Sequence, residues 1–148
     1  MNDTIDADAV ALDAEWRKRS ESDFMLFVRG LTIAGGLGPM MFEEVIADYQ
    51  RDAFVQIAPS LEAVRLGEMP PKRRFWWERT KKAGKDSDLA ACMLWLLAFP
   101  ARPLYMQVGA ADRDQAGIVK RRIADLLYYN KWLNDYVEIN QYQVRTKG

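Results

Sequence analysis

The chain has 148 residues, 49% of them hydrophobic, and its 21 Lys and Arg balance its 21 Asp and Glu. That is enough for one domain with a core; it excludes a disordered chain and argues against a dedicated nucleic-acid-coating protein, though not against a local basic patch. A lone cysteine, Cys92, and the absence of histidine exclude a Cys/His zinc site, an internal disulfide framework and His-dependent nucleophilic catalysis.

Residues 1–22 read as a polar N-terminal arm. It carries Asp3, Asp6, Asp8, Asp13 and Glu15, with a short surface helix over Ala9–Arg19. The arm has no apolar signal core, and the longest apolar run, Leu89 to Phe99, is shorter than the ~20 residues that span a bilayer. A cytoplasmic protein without a membrane segment is expected. Residues 23–71 form a helical segment and linker. Phe24, Phe27, Val28 and Leu31 recur at helical spacing behind Asp23, a candidate cap. Gly35-Gly36-Leu37-Gly38-Pro39 reads as a plain flexible linker. Met41 to Ile57 returns to helical periodicity, and Pro59 to Pro71 reads as a connection holding a helical turn or two.

Residues 72–148 read as strands alternating with helices. Arg74–Trp77 is the first strand candidate, and a nearly all-apolar buried helix runs from Ser87 to Phe99. Cys92 within it reads as a small buried hydrophobe. Leu104–Ala110 is the second strand candidate. A helix to about Tyr129 buries Ile118, Val119, Ile123, Leu126 and Leu127. A turn bracketed by Asn130 and Asn134 precedes a third strand at Tyr136–Asn140, with Gln141–Arg145 as a hairpin partner. This order argues for an α/β fold: a partial P-loop NTPase-like parallel sheet with flanking helices and a helical N-terminal lead-in.

The functional candidate is the turn between the first strand and the buried helix. Basic residues gather there (Lys72, Arg73, Arg74, Arg79, Lys81, Lys82, Lys85), and it ends in Gly84-Lys85. Amides at a helix N-terminus lack intrahelical partners and carry partial positive charge, which suits a phosphate oxygen. Gly84 lets the backbone approach, and Lys85 reaches terminal phosphates. The pattern G-x-x-x-x-G-K-[ST] is incomplete: Arg79 replaces the first Gly, Asp86 replaces the hydroxyl residue, and Ser87 follows one place late. The alternative is a solvated basic turn capped by Asp86 or Ser87.

Three stretches together resemble the ATPase domain of tailed-phage terminase large subunits, over about Asp23 to Gly148. They are Lys81-Lys82-Ala83-Gly84-Lys85 with its Ala/Leu-rich helix, Val108-Gly109-Ala110-Ala111-Asp112-Arg113-Asp114-Gln115-Ala116, and Tyr49-Gln50 upstream. The resemblance implies a nucleotide-binding part of an ATP-driven DNA-translocation motor. ATP and Mg²⁺ would be its cofactors, with double-stranded DNA, the portal and the small terminase subunit as partners of the whole motor, in the cytoplasm of a phage's host. It places Gln50 at the adenine and Arg79 at the γ-phosphate. Lys82, Ala83, Gly84, Lys85, Asp86 and Ser87 fall around the phosphates, with Asp86 and Ser87 at the metal. No apolar run ending in the Walker B Asp-Glu is visible, and no nuclease carboxylate cluster follows. A fragment that binds nucleotide, hydrolyses poorly and self-associates is therefore expected. The competing readings are a non-catalytic helical interaction module with a basic surface loop, and a nucleic-acid binder using Lys72, Arg73, Arg74, Lys81 and Lys82. A parallel sheet with Lys85 at a helix N-terminus is the feature that separates the motor from the module.

Overall fold

The computed structural model describes residues 2–80 and 82–148, with side chains from residue 11 onward. Lys81 of the basic turn, and the side chains of Asp3, Asp6 and Asp8, lie outside the described residues. Helix α1 (Asn2–Ser20) extends beyond the expected Ala9–Arg19. Its residues 11–15 are exposed. Trp16 ties the helix to the body, its indole N–H donating to the Leu26 carbonyl at 3.1 Å. Helix α2 (Phe24–Arg29) starts where the Asp23 carboxylate accepts from the Leu26 amide, and it buries Phe24, Phe27 and Val28.

The glycine-rich stretch is a hairpin rather than a linker. Strands β1 (Thr32–Gly35) and β2 (Gly38–Met41) pair antiparallel with Gly35 opposite Gly38, leaving Gly36-Leu37 as a two-residue turn. Gly38 sits at φ 127°, which only glycine adopts without strain. Asn130 fixes the hairpin from a distance. Its side chain accepts from the Thr32 amide at 2.9 Å and donates to the Thr32 carbonyl at 2.8 Å, as a neighbouring strand would.

A 3₁₀ turn (Phe42–Glu44) leads to helix α3 (Asp48–Leu66), which runs straight through Pro59. An interior proline costs about 3 kcal/mol. Phe54, Ala58 and Leu61 on the buried face offset it, since a large buried apolar side chain contributes roughly 1.5–3 kcal/mol. The helix stops at Gly67 in the left-handed region. Helices α4 (Lys85–Ala98) and α5 (Arg113–Tyr129) follow, then a 3₁₀ turn (Lys131–Asp135). The chain closes with the antiparallel pair β3 (Val137–Ile139) and β4 (Val144–Thr146), close to the expected hairpin. The core lies where α2, α3 and α4 meet, with Phe24, Phe27, Phe54, Leu94 and Trp95 fully buried. Phe24 stands edge-on to both Phe54 and Trp95, at 5.7 and 5.5 Å between ring centres.

The expected partial P-loop NTPase-like parallel sheet is absent among the described residues. The described residues form five helices and two short antiparallel hairpins. Arg74–Trp77 and Leu104–Ala110 are not strands. Residues 73–79 and 102–111 make no backbone hydrogen bond among the described residues. Their side chains still alternate: Phe75, Trp77 and Arg79 turn inward, as do Leu104, Met106 and Val108, while Trp76 and Tyr105 face out. Alternation marks a half-buried segment, but a strand also needs a neighbour to complete its ladder. Ile123-Ala124-Asp125 lies within α5, as its pattern suggested.

Candidate anion site at the start of helix α4

Helix α4 begins without a side-chain cap. Its N-cap residue is Gly84, in the left-handed region at φ 75°, and neither Asp86 nor Ser87 caps it as the alternative reading had it. The N–H groups of Lys85, Asp86 and Ser87 make no backbone bond among the described residues, and the first bond into the helix runs from the Asp88 amide to the Gly84 carbonyl at 2.9 Å. Lys82, one residue past the undescribed Lys81, also has positive φ, at 67°. Two left-handed residues within three positions fold the loop tightly over the helix start.

Over this start lies a buried ion pair. Arg79 turns inward, and one guanidinium nitrogen bonds the Asp88 carboxylate. The side chains are only 8% and 2% exposed. The same nitrogen reaches the Ala83 carbonyl at 3.4 Å. The other terminal nitrogen, Nη2, is buried without a partner among the described residues. The guanidinium lies between two rings, 5.1 Å from the centre of Tyr49 and 5.0 Å from that of Trp77.

Helix α3 reaches the same point. The Gln50 amide nitrogen donates to both Asp88 oxygens, at 3.0 and 3.2 Å, and the Gln50 carbonyl accepts from the Ala47 amide at 3.1 Å. A Cβ at Gly84 would stand 3.0 Å from that Gln50 nitrogen, so a side chain there would crowd it. Tyr49 donates to the Ala83 carbonyl at 3.1 Å. Burial raises the Asp88 carboxyl above the ordinary carboxylate range, against the hydrogen bond and charge of Arg79 and the hydrogen bond of Gln50.

The structure thus gathers Gln50, Arg79, Ala83 and Gly84, which lie as much as 34 positions apart in the sequence. Lys85 is the first residue of α4 and is exposed, as are Lys82 and Ser87, while Asp86 is half-buried. Both ends of the Gln50 amide are engaged within the protein, so Gln50 buttresses the loop here rather than presenting a free edge to a base. Asp88 was missed by the sequence reading. Its signal was an acidic residue one turn before Cys92 and two before Trp95, on the buried stripe of the helix. Cys92 is buried as expected, and burial pushes its thiol up.

No group of three or more His, Cys, Asp or Glu among the described residues is placed to hold a metal. Mg²⁺ takes much of its shell from water and phosphate, so a nucleotide-borne ion needs at most Asp86 and Ser87 from this chain. A phosphate suits the place better, since the helix start is uncapped and the positively charged Lys82 and Lys85 beside it are exposed. Among the described residues no helix is long and apolar enough to cross a membrane. Comparison with protein-family models, curated proteins and solved structures returned no match for this chain.

Proposed function

We propose that the start of α4 binds the phosphates of a nucleotide, and that the chain is the nucleotide-binding part of an ATP-driven DNA-packaging motor of the terminase large-subunit kind. One observation carries the reading. Helix α4 starts without a cap, and in its first turn Asp88 pairs with buried Arg79, whose Nη2 has no partner among the described residues, with Gln50 against Gly84. Lys85 meets the terminal phosphates, the Gly84–Ser87 backbone cradles them, and Lys82 adds positive charge from the loop. Double-stranded DNA, a portal and a small subunit are the partners this reading implies. The parallel sheet that would separate the motor from the module is not found among the described residues, so the motor reading rests on the donors of the helix start and its loop alone.

The test is calorimetric titration of ATP-Mg²⁺ into the protein and into Lys85→Ala. The expected result is binding by the first and at least tenfold weaker binding by the second. Equal binding, or none by the wild type, contradicts the reading.

The second reading is a helical interaction module with a basic surface loop. The mainly helical fold favours it, as do Trp76 (88% exposed) and Tyr105 (85% exposed) on segments without ladder partners. It takes precedence if ATP does not bind.

A further inference from the structure

We infer that the groove bordered by residues 104–108 and β4 docks an extended acidic segment of a partner protein, which adds as a strand beside Leu104–Val108. The inference does not rest on the nucleotide reading and concerns other residues. The groove measures about 1200 Å³ and is bordered by Leu104 and Met106, by Leu97 of α4, by Val119 and Ile123 of α5, and by Val144 of β4. That exceeds the roughly 300–1,000 Å³ of a small-molecule site.

The backbone favours a strand as the occupant. Residues 104–108 make no backbone hydrogen bond among the described residues. They already alternate as a strand does, with Leu104, Met106 and Val108 half-buried and Tyr105 and Gln107 exposed. A peptide laid alongside supplies the missing ladder without reshaping the segment. The segment Leu104–Val108 carries no charge and no proline, the residues that commonly guard a strand edge against pairing. Strand β4, on the border of the groove, pairs with β3 on one side and has no strand on the other among the described residues.

The charge selects an acidic partner. Although the whole chain is neutral, the groove is lined by Arg102, Arg113, Lys120, Arg121 and Arg145 against one acid, Asp114. Of the five cations, only Arg145 pairs with a carboxylate among the described residues, that of Glu138. Lys120 donates to the Gln141 carbonyl at 2.6 Å and Arg121 to the Asp114 carbonyl at 3.2 Å, contacts that leave their charge uncancelled. Side chains of a strand point alternately to opposite faces. A segment of about six residues, alternating apolar and acidic, therefore offers one row to the apolar border and the other to the cations. A nucleic acid would satisfy the cations, but it has neither an amide ladder nor an aliphatic row.

The test is titration of the isotope-labelled full chain with a capped hexapeptide alternating valine and glutamate, read by the amide spectrum and by calorimetry. The amides of Tyr105, Met106, Gln107 and Val108 are expected to shift and to exchange more slowly with solvent, while those of Lys85, Asp86 and Ser87 stay in place. N-methylating every second peptide amide removes its donors, and in at least one of the two registers binding is expected to weaken at least tenfold. The double variant Arg102→Glu with Arg113→Glu is also expected to bind at least tenfold more weakly; both side chains are exposed, so the fold should survive. No shift at residues 105–108, or methylation without effect in both registers, overturns the inference. Equal binding by an oligothymidylate of the same charge, with the same shifts, makes the face a nucleic-acid surface and overturns it too. None of these outcomes depends on whether ATP binds at α4, so this inference and the nucleotide reading can fail separately.

Discussion

Two segments of this chain do the same job with different chemistry. Residues 73–84 lead into α4 and residues 102–112 lead into α5. Phe75–Thr80 in the first and Leu104–Val108 in the second alternate inward and outward, and neither has a ladder among the described residues. The approach to α5 ends conventionally. Asp112 is its N-cap, in extended backbone, and its carboxylate accepts from the Gln115 amide at 2.8 Å. That helix start is closed by its own side chain. The approach to α4 ends on a left-handed glycine with no cap, under a buried arginine held by an acid from within the helix. Its donors are open to water or to a ligand. A stability-driven solution was available to the sequence, as Asp112 shows twenty-eight positions later, and α4 does not use it. The uncapped start, not the Gly84-Lys85 dipeptide, is the better argument for a site.

The largest contrast between the two starts should be in stability. Arg79→Ala leaves Asp88 buried and unpaired, and a loss of about 3–5 kcal/mol is expected by chemical denaturation at neutral pH. Asp112→Ala removes one exposed cap bond, and about 1 kcal/mol is expected. Equal losses would erase the distinction. Arg113 sharpens it on the ligand side, because it occupies in α5 the place of Lys85 in α4. Beside the Lys85→Ala titration, Arg113→Ala is expected to leave ATP affinity unchanged within about twofold.

The smallest effect is in the pH dependence. The folded-state carboxyl of Asp88 is raised, so the folded chain binds its proton more readily than the unfolded chain. Its contribution is fully present below the ordinary aspartate range and is lost as pH rises through the raised value. Urea denaturation of the wild type across that window should show stability falling with pH, relative to Asp88→Asn. A parallel pair of curves would mean that Arg79 compensates the burial fully.

How much of this was legible follows from what each signal measures. Helical periodicity marks buried stripes, so Phe24, Phe27 and Val28 of α2 and Val119, Ile123, Leu126 and Leu127 of α5 could be read directly. Alternation at Phe75–Thr80 and Leu104–Val108 was equally real, but it describes one segment at a time and does not contain the neighbour that makes a sheet. Glycine richness at Gly35–Gly38 hid a hairpin, because its fixing contact is Asn130, nearly a hundred residues away. Pro59 suggested a break that the buried face of α3 overrode. At the site, Arg79 and Gly84 came from motif spacing and Gln50 from the family resemblance. Asp88 did not, since one acid among apolar neighbours reads as helix surface until the fold shows which way it faces.

The most direct measurement is the backbone amide spectrum of the chain during titration with tripolyphosphate. The amides of Lys85, Asp86 and Ser87 are expected to shift together and to saturate at one affinity, while those of Arg113, Asp114 and Gln115 stay in place. Shifts of equal size at both helix starts, or none at α4, would contradict the assignment of the uncapped start as the anion site.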